Sequence, residues 1–116
     1  MNTTRHFYLN QERTGRILAC IARTFDKETG EIQFAVATPH PNDMPSKALA
    51  RTIACGRLAK HPHTLHAQGA TPPMATILEA IVNAKTDEDR GNLHVSRDVQ
   101  ARAKRYLAEA QAKLTE

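Results

Sequence analysis

Apolar residues recur at every second position up to Thr38 and at every third or fourth position beyond Asp43, and Pro39-His40-Pro41 stands between the two regimes. Each proline fixes its own φ and restricts the residue before it, so neither period runs through this stretch. The chain is expected to join an extended front to a helical back, which is an α+β arrangement.

The front divides into three strand-like segments. His6-Phe7-Tyr8-Leu9 is aromatic and apolar, and a polar connection ending in Gly15 follows it. From Arg16 to Phe25, Ile17, Ala19, Ile21 and Arg23 alternate with Leu18, Cys20, Ala22 and Thr24. Both faces are apolar in the first half of this run, as suits a central strand covered on both sides. Asp26 to Glu31 reads as a hairpin loop with Gly30 at a left-handed position. Ile32, Phe34 and Val36 then share one face of a returning strand that ends at Thr38. The expectation is a three-stranded antiparallel meander over residues 5–38.

Three helices are expected behind it, and the 116 residues form a single domain. The first, about 44–60, has Asp43 as N-cap and Pro45 in its first turn, with Leu49, Ile53 and Leu58 joined by Ala50 and Ala54 as its buried stripe. Pro62 stops it. The second, 72–85, starts after Thr71 and carries Met74, Ile77, Leu78, Ile81 and Val82 at core spacing, to be packed centrally on the sheet. The third, 97–114, is capped by Ser96 and buries Val99, Ala103, Tyr106, Leu107, Ala110 and Leu114. Residues 61–70 show no pattern and read as a connection, Thr86 to Asn92 reads as an acidic loop, and Leu93-His94-Val95 reads as an extended entry to the last helix.

Composition narrows the class. No apolar run approaches the roughly 18–20 residues that cross a bilayer, and the N-terminus lacks the apolar core of a signal peptide, so a cytosolic protein is expected. Cys20 and Cys55 lie far apart in sequence and suit a reduced pair better than a disulfide. The net charge of +4 is uneven: residues 1–60 hold nine Lys or Arg against five Asp or Glu, and residues 61–116 hold seven against seven. A positive front half favours a polyanionic partner, whether nucleic acid or an acidic protein surface.

Lys47 and Arg51, four apart, share a face of the first helix, and Arg57 and Lys60 stand on its last turns. With Arg16 and Arg23 they form a candidate phosphate-contacting surface, although Arg57 and Lys60 also simply suit a helix C-terminus and the whole set suits a solvated face. Arg97, Arg102, Lys104 and Arg105 on the last helix fit a solubilised amphipathic helix better than groove reading. Phe7, Tyr8 and Phe34 fit core positions better than base-stacking platforms.

His61, His63 and His66 are candidate metal ligands, with His40 and Cys55 able to approach them, but their spacing matches no familiar zinc site and a solvated His-rich loop is the plainer alternative. No nucleophile elbow, phosphate-cradling glycine loop or paired metal-ligand helix occurs. Cys55 with a nearby His would imitate a nucleophile and its base, yet spacing identifies neither an oxyanion hole nor an orienting acid. Binding without catalysis, cofactor or metal is the expectation.

The segment Thr38-Pro39-His40-Pro41-Asn42-Asp43, then Ser46-Lys47, then Ala50 to Leu58, resembles a stretch found in small accessory proteins of phages and other mobile elements. The resemblance spans Thr38 to Leu58 and carries no catalytic role with it. It implies a phage or plasmid accessory protein working in the host cytosol. Two roles fit: a nucleic-acid-binding protein using the basic surface, or an anti-defence inhibitor, similar to anti-CRISPR proteins, that occludes the site of a host protein or nucleoprotein machine. A homodimer fits either.

Overall fold

A computed structural model describes residues 4–11, 14–38, 47–67 and 72–115. The fold is α+β, with four antiparallel strands in the order β1-β2-β3-β4: Arg5–Asn10, Ile17–Phe25, Glu31–Ala37 and His63–His66. Four helices accompany them: α1 (Lys47–Lys60), α2 (Pro73–Val82), α3 (Asp87–Leu93) and α4 (Arg97–Thr115).

The meander forms as its pattern predicts. β2 pairs with β1 on one side and β3 on the other, so Tyr8, Cys20 and Ala37 align across the sheet, as do Phe7, Ile21 and Val36 in the next row. At the β2–β3 turn the Asp26 carboxylate accepts from Glu28 N–H at 2.9 Å, and Gly30 takes φ 77°, which an L side chain rarely adopts.

One face of the sheet carries the larger core. Leu9, Ala19, Ile21, Ile32, Phe34 and Val36 meet Ile77, Leu78 and Ile81 of α2 and Val99 and Ala103 of α4. The helix α2 buries Ile77, Leu78 and Ile81 and half-buries Met74 and Val82, is shorter than expected, and packs chiefly against α4, which shares its side of the sheet, and not centrally on the strands. Ser96 caps α4 as expected, its hydroxyl accepting from Val99 N–H at 3.2 Å. Among the described residues the opposite face is covered by α1, with Cys20, Ala22 and Ala37 of the sheet against Ala50 and Ala54 of the helix.

Four expectations are corrected. Residues 63–66 are a fourth strand: Leu65 pairs with Ile32 and His63 with Phe34, satisfying the open edge of β3. Only Leu65 in this strand is aliphatic, so hydrophobic alternation had almost nothing to register. The acidic segment after Thr86 is a helix and not a loop. Thr86 Oγ1 accepts from Asp89 N–H at 3.0 Å, and Asp87, Glu88 and Asp89 occupy the positive first turn. Leu93 ends this helix and His94 turns left-handed at φ 59°, so Leu93-His94-Val95 is no extended entry. Finally, the buried stripe of α1 is rotated: Ala50 and Ala54 face the sheet, Leu58 is half-buried, and Leu49 and Ile53 are 54% and 40% exposed. Small side chains on both surfaces let the helix lie close to the strands, and that contact selected the alanines over the larger residues. The expected caps Asp43 and Thr71, and His40, lie outside the described residues.

Candidate functional site

The outer surface of α1 and the neighbouring edge of β1 bring together the basic and thiol groups of the front half. Lys47 and Arg51 are exposed on successive turns, and Lys60 is exposed at the helix end. No Asp or Glu occurs anywhere in α1, so nothing within the helix offsets these cations. The Lys47 ammonium sits 5.5 Å from the centre of the Tyr8 ring, and Tyr8 Oη donates to Lys47 C=O at 3.5 Å. A cation over an aromatic face is attracted by the ring quadrupole, so Lys47 is held toward β1.

The other expected cations fall elsewhere. Arg57 is half-buried and its Nη1 donates to Val36 C=O at 2.8 Å, clamping α1 to β3. Arg23 belongs to the opposite sheet face, with Ile21 and Phe34, and stands directly across from Arg5. Its Nε is buried with no hydrogen-bond partner among the described residues, and burial, followed by the Arg5 charge, lowers its pKa. Arg16 is exposed just before β2, where its backbone closes the β1–β2 connection. The six expected residues therefore separate: Lys47 and Arg51 share one exposed flank of α1, and Lys60 stands exposed at the far end of the helix on its other side.

The histidines also separate. His61 is exposed after α1, while His63 and His66 project to opposite faces of β4. The His63 ring lies 5.3 Å from that of Phe34. Among the described residues no three His, Cys, Asp or Glu side chains are placed to hold a metal ion.

A histidine outside that cluster reaches the thiol of α1. His6 Nε2 on β1 lies 2.9 Å from Cys55 Sγ on α1. Cys55 is half-buried, and Cys20 lies fully buried in the same small cluster. Burial, and then the neighbouring Cys55, push the Cys20 thiol up to about 11, against smaller opposing effects of Tyr8 and Arg51. The alternation of β1 places His6 and Tyr8 on the face of Cys20, but no local pattern joins His6 to a residue 49 positions away.

Phe7 packs edge-on against Tyr106 at 5.2 Å and Phe34 is buried, which leaves Tyr8 as the aromatic of the exposed site. No helix among the described residues is long and apolar enough to cross a membrane. Family models, curated proteins and solved structures contain no match to the chain.

Proposed function

We propose that the chain is a small binding protein of a phage or mobile element that holds nucleic acid against the outer face of α1. The observation that carries this reading is a helix lying on one side of the sheet with four cations, no acid, Lys47 and Arg51 turned outward on one flank and Lys60 exposed at its end. Lys and Arg on such a surface neutralise backbone phosphates and release counterions, and Lys47 is already positioned by Tyr8. Arg57 is excluded from the contact set because its guanidinium is engaged with Val36.

The test is the salt dependence of binding to a generic duplex and to a single strand. Each phosphate contact contributes roughly 0.7–0.9 to the slope of log affinity against log salt, so Lys47→Ala with Arg51→Ala should lower that slope by about 1.4–1.8. No binding to either strand form at low salt overturns the proposal.

One observation favours a second reading. Leu49 and Ile53 are exposed four residues apart on the flank of α1 that ends at Lys60, away from Lys47 and Arg51, an apolar patch with a cation at its border. Protein interfaces have this anatomy, so an acid-rimmed groove on a host protein or nucleoprotein machine, blocked by α1 as an anti-defence inhibitor would block it, is the alternative partner. Leu49→Ser with Ile53→Ser separates the two: it should abolish retention of such a partner and leave the salt slope on nucleic acid unchanged.

A further inference from the structure

We propose that Cys55 and His6 form a thiol-exchange site that takes anionic low-molecular-weight disulfides. This is independent of what α1 binds. The thiolate is the nucleophile in exchange with a disulfide, so a reactive cysteine needs access, a group to take its proton, and positive surroundings. Cys55 has all three. It is half-buried instead of sealed. His6 Nε2 is in contact with its sulfur at 2.9 Å. The elements around the pair, β1, β2 and α1, contain no Asp or Glu, while Arg51 stands one turn before Cys55 and Lys47 one turn further. Cys20, the other thiol, is fully buried and protonated at neutral pH, so it neither competes nor resolves the product.

The step balances without an outside reductant or oxidant. The Cys55 proton passes to His6 Nε2, and the sulfur attacks one sulfur of the incoming disulfide. A Cys55–S bond forms as the original S–S bond breaks. The departing thiolate takes the proton back from His6 and leaves as a thiol. Cys55 is oxidised to a mixed disulfide and half of the reagent is reduced. Anionic reagents are preferred because Arg51 and Lys47 raise their local concentration and stabilise the negative charge near sulfur.

The experiment follows the native full chain with an anionic aromatic disulfide, 5,5′-dithiobis(2-nitrobenzoate), and a cationic one, cystamine, with 2-mercaptoethanol as the free-thiol standard. One thiol per chain should react, the count should fall to zero in Cys55→Ser and stay at one in Cys20→Ala. Relative to the free thiol, the chain should favour the anionic reagent about tenfold, and Arg51→Gln should remove much of that preference. His6→Gln should slow both reagents by about tenfold or more. Two reacting thiols in His6→Gln would mean that it unfolds; the wild-type thiol count and the charge preference then decide. The proposal is overturned if no thiol reacts before denaturant is added, if the reagent preference equals that of the free thiol, or if folded His6→Gln reacts at the wild-type rate.

Discussion

His94 holds a left-handed backbone, φ 59° and ψ 41°, at the end of α3, where its N–H reaches the carbonyls of Arg90 and Gly91. Glycine takes this position without the steric penalty of a Cβ. His94→Gly should therefore raise stability by about 1 kcal/mol, read as a higher urea midpoint with an unchanged slope. The same substitution should remove a pH dependence. Burial first, then Arg57 and His63, hold the His94 pKa below its ordinary 6.5. The unfolded imidazole then takes up its proton at a higher pH than the folded one, so this contribution to stability is present above 6.5 and is lost as pH falls through 6.5 toward the lower folded value. The ring is exposed, so the effect is small, and its signature is a shallower fall in thermal midpoint for His94→Gly over that range. Arg5 and Arg23 offer a second residue-scale test. They are directly opposed on adjacent strands, and like charges so placed are destabilising. Arg5→Thr should raise stability by roughly 0.2–1 kcal/mol at low ionic strength, with the gain shrinking as salt is added. Neither pairing was open to sequence reading, since the register that aligns position 5 with position 23 depends on the length and shape of the connection between them.

At the scale of elements, α2 ends in a way its own sequence does not explain. It has no basic residue in its last turn, and beyond the local bonds from Asn83 and Ala84 N–H the carbonyls at and just after its end are held by side chains of α3 and α4. Gln100 Nε2 on α4 donates to Ile81 C=O at 2.9 Å and also to Ala84 C=O, and Arg90 Nη1 on α3 reaches Ala84 and Lys85 C=O at 3.4 and 3.3 Å. One amide thus ties α2 to α4. Gln100→Leu keeps similar volume but withdraws both donations, and it should destabilise by about 1–3 kcal/mol, measured by denaturant unfolding, with faster amide exchange in residues 81–85. The elements legible in sequence were those with a wide apolar stripe. The strands β2 and β3 and the helix α2 bury several large side chains, and β1 and α4 set Phe7, Leu9, Val99, Tyr106 and Leu107 against the same core. The strand β4 and the helix α3 escaped notice because one has a single aliphatic residue and the other buries none. Edge pairing and N-terminal capping form these two elements, and neither leaves a hydrophobic period.

Over the whole molecule, the sheet separates two cores of different texture. The α2/α4 side is filled by large residues such as Phe34, Ile21 and Ile77, and the α1 side by Cys20 and alanines. The two should respond oppositely to changes in volume. Phe34→Ala opens a cavity and should cost about 3–5 kcal/mol. Ala54→Leu enlarges a residue that is 0% exposed between helix and sheet, and should cost about 1–3 kcal/mol by forcing α1 outward. Displacing α1 also separates Cys55 from His6, so Ala54→Leu should alter the thiol chemistry of Cys55 while Phe34→Val, which leaves α1 seated, should not.

The sequence by itself determined that a three-stranded meander precedes the first helix, that β2 lies inside the sheet, and that the positive charge concentrates in the front half. These follow from periodicity, prolines and charge counts, all of which are local. Only the tertiary structure decided which face of α1 is buried, and with it the composition of the candidate site. Leu49 and Ile53 are intrinsically the better core residues, yet the small side chains of β2 and β3 admit a close helix and make Ala50 and Ala54 the contact. That rotation leaves an apolar pair exposed on the flank away from Lys47 and Arg51, draws Arg57 onto Val36, and brings Cys55 to His6. Packing between distant segments is what set it, and no window of sequence contains both surfaces.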